Sequence, residues 1–471
     1  MTRDNLPVAV IGGGPIGLSA AVHLLQRGLP VRLYEAGATV GASVLDWGHV
    51  RLFSSWRYNI DAEGRSLLER RGWQEPPADA FPTGLDLYEQ YLKPLAETPE
   101  MRAVIETGTV VKAITRHGAD KVVTADRDKK PFELIVSSVG GLRRDGARAV
   151  IDASGTWKMP NPLGVAGIIA EGEEEHSDKI AYGLPDVLGR DRVKYEGRTT
   201  LVIGAGHSAA NVLIDLVELA RRNPQASVLW VTRGTNLARV YGGGPADQLP
   251  ARGELGAHVK DLVDARKITL VTGFSATAVR AAGEQVVLEG ETADGVRTLG
   301  PVDRIIVATG QRPDLTLTRE LRIELDPWLE SARALGPLID PNIHSCGSVP
   351  PHGHRELSHP EAGFYTVGVK SYGRAPTFLL MTGYEQVRSV AAAIAGDMEA
   401  ADDVRLVLPE TGVCTTQFEP VNAVSAECCG GPAPPAVDAC CVADAQAKAS
   451  TGRECGCGGS ATRSEKVIEP A

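Results

Sequence analysis

The first 345 residues of this 471-residue chain contain no cysteine, so the main body of the protein cannot be a disulfide-built fold. Aromatic residues make up only 5%, too few for a surface that stacks successive bases of single-stranded nucleic acid. Basic residues are also short. Forty-nine Lys and Arg stand against 59 Asp and Glu, a formal charge of −10, which argues against a phosphate backbone or an anionic membrane as partner. No uninterrupted apolar run approaches the length that spans a bilayer, and the N-terminal stretch passes directly into a strand-and-glycine pattern, so the expected compartment is the cytoplasm. What remains is the composition of an ordinary enzyme, with a length that suits two or three domains.

The first informative segment runs from Val8 to Glu35. Val8 to Ile11 is a short apolar strand, and Gly12-Gly13-Gly14-Pro15-Ile16-Gly17 follows it. Leu18, Ala21, Leu24 and Leu25 then recur at helical spacing until Gly28 and Pro30 stop the helix. Val31 to Tyr34 is the next strand, ending in Glu35. In such a unit Gly12 permits the tight turn, Gly14 admits a pyrophosphate at the helix N-terminus, and Gly17 lets helix and strand pack closely. Glu35 can accept hydrogen bonds from a ribose.

A second unit starts at Thr200-Leu201-Val202-Ile203 and turns through Gly204-Ala205-Gly206. A helix carrying Val212, Leu213, Leu216 and Leu219 leads to a return strand from Ser227 to Val231. Here the strand is followed by Thr232-Arg233 instead of an acid. An arginine at that place pairs with a 2′-phosphate, which points to NADPH. Two dinucleotide sites in one chain suit an enzyme that passes a hydride from a nicotinamide to FAD in the first site.

Two further strands, Val150 to Asp152 and Ile305 to Val307, run into the small-residue turns Ala153-Ser154-Gly155 and Ala308-Thr309-Gly310. These resemble the crossing points of two-dinucleotide flavoproteins, and Phe364-Tyr365-Thr366-Val367-Gly368 with the helical stretch Tyr384 to Ile394 resembles their closing FAD segment. The acid usual after that glycine is absent, and Val369-Lys370-Ser371 stands there. The resemblance implies an α/β fold with two Rossmann-like domains and a flexible Cys-rich C-terminal tail. An FAD domain of residues 1–165 and 311–408 would be wrapped around an NADPH domain of residues 166–310, with the tail from 409 to 471. Gly310 and Gly368 join the expected cofactor-binding residues.

Disulfide reductases of this superfamily keep a redox cysteine pair beside the flavin or in the second domain, and no cysteine stands in either place here. Reduced flavin must then pass electrons to a quinone, a metal or oxygen. The segment from Ala170 to Ile180 is similar to the class B flavin monooxygenase fingerprint at Gly172 and His176, although its aromatic ends are replaced. This similarity favours O2 as co-substrate and gives His176 a positioning role at the domain junction. The aromatic and polar run from Trp47 to Asn59 falls where related enzymes place a loop against the flavin, and Trp56 is its candidate contact. Cys346, flanked by His344, His352, His354 and His359, is a candidate for substrate or metal contact.

Seven of the eight cysteines lie in the last 58 residues. Cys428-Cys429, Cys440-Cys441 and Cys455-Gly456-Cys457 are close pairs in a stretch poor in large apolar residues, suited to wrapping a soft ion. With the segment 361–390, this tail makes the chain resemble flavoproteins associated with bacterial arsenic resistance. That resemblance implies a small-molecule substrate, a thiophilic metalloid such as a trivalent arsenical. An NAD(P)H-dependent metal or disulfide reductase using the tail thiols, a non-catalytic soft-metal buffer, and a homodimer all stay open.

Overall fold

A computed structural model describes residues 5–223, 225–242, 250–344 and 349–406. The six paired tail cysteines and Cys346 lie outside the described residues. The chain opens with strand β1 (Val8–Ile11), helix α1 (Pro15–Gln26) and strand β2 (Val31–Tyr34). Strand β3 (Ala149–Asp152) pairs with β1 on the side away from β2, in parallel register that sets Ile11 opposite Asp152. The second glycine unit supplies β4 (Thr199–Ile203), helix α2 (His207–Arg221) and β5 (Ser227–Val231). Strand β6 (Arg304–Val307) joins β4, and β7 (Phe364–Thr366) returns to the first sheet beside β3.

Each half therefore holds a five-stranded parallel sheet. The first runs β7, β3, β1, β2 and Ile105–Glu106; the second runs Thr269–Val271, β5, β4, β6 and Ile180–Tyr182. Parallel strands covered on both faces read as unbroken apolar runs, and β1 and β3 are buried at every position.

Each half also carries a three-stranded antiparallel meander, 110–147 in the first and 275–302 in the second. Each meander leads directly into the strand that ends in a crossing turn, β3 or β6. Their burial alternates: Phe132, Leu134 and Val136 point inward while the residues between them are partly exposed.

Helix α1 is buried from Ile16 through Leu24 because it is sandwiched between the first sheet and helix α3 (Leu380–Ala395). The close approach of α1 and α3 needs Gly383, where a Cβ would stand 2.5 Å from Ile16 Cδ1.

Candidate functional site

The first glycine turn is shaped by contacts that no side chain could survive. Gly12 has φ +100°, and a Cβ on it would lie 2.6 Å from the Ala153 carbonyl oxygen. A Cβ on Gly17 would lie 1.8 Å from the Gly12 carbonyl oxygen, so the helix rests directly on the turn. At Gly14, the N-cap of α1, the space that a Cβ would occupy is open. An open cradle over unpaired helix N–H groups suits a pyrophosphate, and the first turn of α1 carries no acid to repel it. Glu35 braces the turn: its two carboxylate oxygens accept the N–H groups of Gly13 and Gly37, each at 2.6 Å.

The second turn repeats the design. Gly204 has φ +134° and a virtual Cβ 2.2 Å from the Ala308 carbonyl oxygen, while Gly206, the N-cap of α2, faces open space. Trp230, fully buried in β5, donates its indole N–H to the Gly204 carbonyl at 2.7 Å. Sequence reading overlooked this brace. Its signal was a large polar-tipped aromatic in a strand otherwise filled with aliphatics. Arg233 is exposed just beyond β5 and has no acid partner among the described residues. Buried Thr232 ties the loop by donating its hydroxyl to the Gly234 carbonyl.

The crossing turns hold the departure from the flavoprotein pattern. Gly368 has φ +70°, sits against Ile16 of α1 and donates its N–H to Gln386 Oε1 at 2.8 Å. Two residues later Lys370 is buried. Its Nζ donates to Asp152 Oδ2 at 2.7 Å and to Ser154 Oγ at 3.0 Å. A cation in place of the usual acid is thus neutralised by Asp152 at the end of β3. Gly310 has φ +86°, and its carbonyl accepts the Asn161 N–H at 2.9 Å.

Phe53 and His207 meet edge to face at 4.9 Å, which brings the loop after the first unit against the N-terminus of α2. His49 of the same loop feels Asp186, and burial lowers its pKa. Asp215 on α2 faces Asp186 as well. Burial, reinforced by that repulsion, lifts its carboxyl to about 6.

Three sequence expectations change here. Trp56 is 3% exposed and packs in the core around Val44, Ile60 and Leu67, so it has almost no surface to offer a flavin. His176 ends a turn closed onto the Gly172 carbonyl, and its ring makes no hydrogen bond among the described residues. The buried charged member of that segment is Glu173, which accepts the N–H groups of Leu163, Gly164 and Ala170 and the Tyr182 hydroxyl. The histidines near Cys346 disperse. His352 hydrogen-bonds the Pro350 carbonyl, His354 meets Asp402, and His359 meets the Glu324 backbone, while His344 meets the Pro337 carbonyl. Among the described residues no cluster of three metal-ligating side chains exists, and no helix is long and apolar enough to cross a membrane.

A cavity of about 520 Å³ opens elsewhere at the junction, lined by Asp46, Trp157, Tyr182, Arg190, Lys194 and Arg304 among others. Its lining includes no residue of either glycine turn, so it is distinct from both dinucleotide cradles.

A family model described as pyridine nucleotide-disulphide oxidoreductase matches residues 9–333. The thiamine thiazole synthase of Methanothermobacter thermautotrophicus is 31% identical over 157 residues, 32% of this chain and 56% of the relative. This chain spans about half, or less, of the length of several such curated relatives. Among solved structures, the bacillithiol disulfide reductase Bdr of Bacillus cereus superposes with a TM-score of 0.62 at 17% identity. That match covers 83% of this chain and 99% of the other. The ornithine N-hydroxylase KtzI of Kutzneria sp. 744, solved with reduced FAD, NADP+ and L-ornithine, gives 0.55 at 15% identity over 84% and 99%. These structural likenesses establish a shared two-dinucleotide fold.

Proposed function

The chain belongs to the pyridine nucleotide-disulphide oxidoreductase family, and from that premise we propose that it is an FAD-dependent, NADPH-using monooxygenase acting on a soft nucleophile such as a trivalent arsenical. One observation carries the choice of oxygen over a dithiol: no cysteine precedes residue 346, so neither glycine unit has a thiol pair beside it. Hydroxylases and monooxygenases among the neighbours of the same fold support that choice.

In this reading residues 1–165 and 311–408 hold FAD, and residues 166–310 hold NADPH. Gly12, Gly14 and Gly17 shape the FAD cradle, and Glu35 holds it while facing the ribose. Gly204 and Gly206 shape the NADPH cradle, and Arg233 pairs with the 2′-phosphate. Bound FAD supplies the redox chemistry between nicotinamide and oxygen. Lys370 fixes the crossing turn by binding Asp152 and Ser154, and the Phe53–His207 contact holds the flavin-side loop against the second cradle. The paired tail cysteines, Cys428, Cys429, Cys440, Cys441, Cys455 and Cys457, capture the thiophilic substrate and raise its local concentration.

One comparison tests both parts. The full chain and a chain ending near residue 410 are supplied with NADPH, a trivalent arsenical and isotopically labelled dioxygen. Both should form pentavalent product carrying one labelled oxygen, and the shortened chain should show a higher apparent KM. Unlabelled product would overturn the monooxygenase reading, and an unchanged KM would overturn substrate capture by the tail.

A further inference from the structure

Arginine is usually matched to carboxylates in this protein, as at Glu361, which binds both Arg116 and Arg127 in the core. Two arginines at the crossing of the halves break that habit. Arg312 follows the second crossing turn, and Arg374 lies six residues beyond Gly368. An Nη2 atom from each stands 3.3 and 3.7 Å, respectively, from the point where a side chain on Gly167 would begin. Neither has an ion-pair partner among the described residues. Arg312 gives only its Nε to Asn161 Oδ1, at 3.3 Å. Two guanidinium groups converging without a carboxylate repel each other, and an anion between them relieves that repulsion with charge-assisted hydrogen bonds.

The floor of this place is firmly built. Glu173, 3% exposed, gathers the N–H groups of Leu163 and Ala170, each at 2.8 Å, and so fixes both ends of the loop that carries Gly167. Gly167 itself has φ +78°, and the missing side chain leaves free the point that both guanidiniums approach. The rim is apolar. Ile168 and Ile169 follow Gly167 and are 66% and 58% exposed. Met159, 40% exposed, accepts the Arg312 backbone N–H at its carbonyl. Cationic centre and aliphatic rim together suit an acid with a hydrocarbon body, and suit a fully hydrated inorganic anion less well.

We propose that Arg312 and Arg374 form an anion site that takes the carboxylate of a small amphipathic molecule, with Met159, Ile168 and Ile169 receiving its apolar part. The site includes no residue of either glycine turn and does not rest on the monooxygenase reading.

The test is calorimetric titration of octanoate into the full-length, FAD-loaded protein. Octanoate should bind, and Arg312→Gln and Arg374→Gln should each weaken it by at least about tenfold, the loss of roughly 1.4 kcal/mol. Arg374→Lys should retain part of the affinity. Gly167→Asp, which brings a carboxylate to both guanidiniums at a positive φ that aspartate adopts with some strain, should abolish binding. Arg297→Gln, on an exposed strand, serves as the control and should match the unmodified protein. Absence of octanoate binding, or equal affinity in the unmodified protein and both glutamine variants, would overturn the site. Loss of FAD from both glutamine variants would also overturn it, by giving the arginines to the cofactor.

Discussion

In the proposed reading a single residue, Arg233, carries the choice of nicotinamide cofactor. It is exposed just past β5, without an acid partner among the described residues, so its charge is available to a 2′-phosphate. NADPH should be preferred over NADH by at least about tenfold, and Arg233→Ala should erase the preference, measured as the ratio of kcat/KM values. Equal use of both cofactors by the unmodified enzyme would refute that role. A second residue sets a pH dependence. Asp215 has a carboxyl lifted from 3.8 to about 6 by burial and by Asp186, so the folded state binds this proton more tightly than the unfolded state. The stabilisation from that proton is complete below about pH 4 and disappears as pH rises through about 6. His49, Arg190 and Asp191 lie in the same electrostatic neighbourhood and adjust the window. Asp215→Asn removes the titrating group. Relative to this variant, the unmodified protein should lose several degrees of melting temperature between about pH 4 and pH 7.5. A constant difference across that range would contradict the assignment.

At the scale of elements, both glycine units were legible because each is local: strand, turn, helix and strand follow in about 30 residues with their periodicities intact. β1, β2 and β5 occupy the very residues anticipated, and the structure adds only a residue or a turn to the others. The two meanders escaped notice although Gly140-Gly141 and Asp294-Gly295 mark two of their turns; in Phe132–Ser138 the apolar run Leu134-Ile135-Val136 blurs the alternation that marks a half-buried strand. Lys370 was legible only as a departure from a pattern. Its partner Asp152 lies 218 residues away, a distance no local pattern spans. The fingerprint segment was read through His176, yet its anchoring residue is Glu173, one acid in a run of three that sequence alone could not separate. Glu173→Ala should leave the three loop N–H groups and the Tyr182 hydroxyl without their acceptor. A loss of about 3 kcal/mol in urea unfolding, or faster hydrogen exchange confined to residues 163–170, is the expected result. Unchanged stability together with unchanged exchange would show that the loop holds itself.

For the whole molecule, the two halves repeat one plan: a parallel sheet, a glycine turn that would not admit a Cβ, and a meander leading to a crossing strand. Two cradles of the same design in one chain have a use when one dinucleotide reduces the other. The chain crosses between the halves after β3 and β6, where the Gly310 carbonyl accepts the Asn161 N–H at 2.9 Å. The Phe53–His207 contact adds a direct bridge between the first half's loop and the second cradle. In the proposed reading the substrate is met at the junction and by the tail, whereas the relay between dinucleotides draws on both halves. The relay is therefore the central claim, and anaerobic titration of the FAD-loaded protein with NADPH tests it most directly. One equivalent of NADPH should bleach the visible flavin absorbance, and admitting oxygen should restore it. A flavin that stays oxidised in excess NADPH would contradict the account, because the two cradles would then not be working on each other.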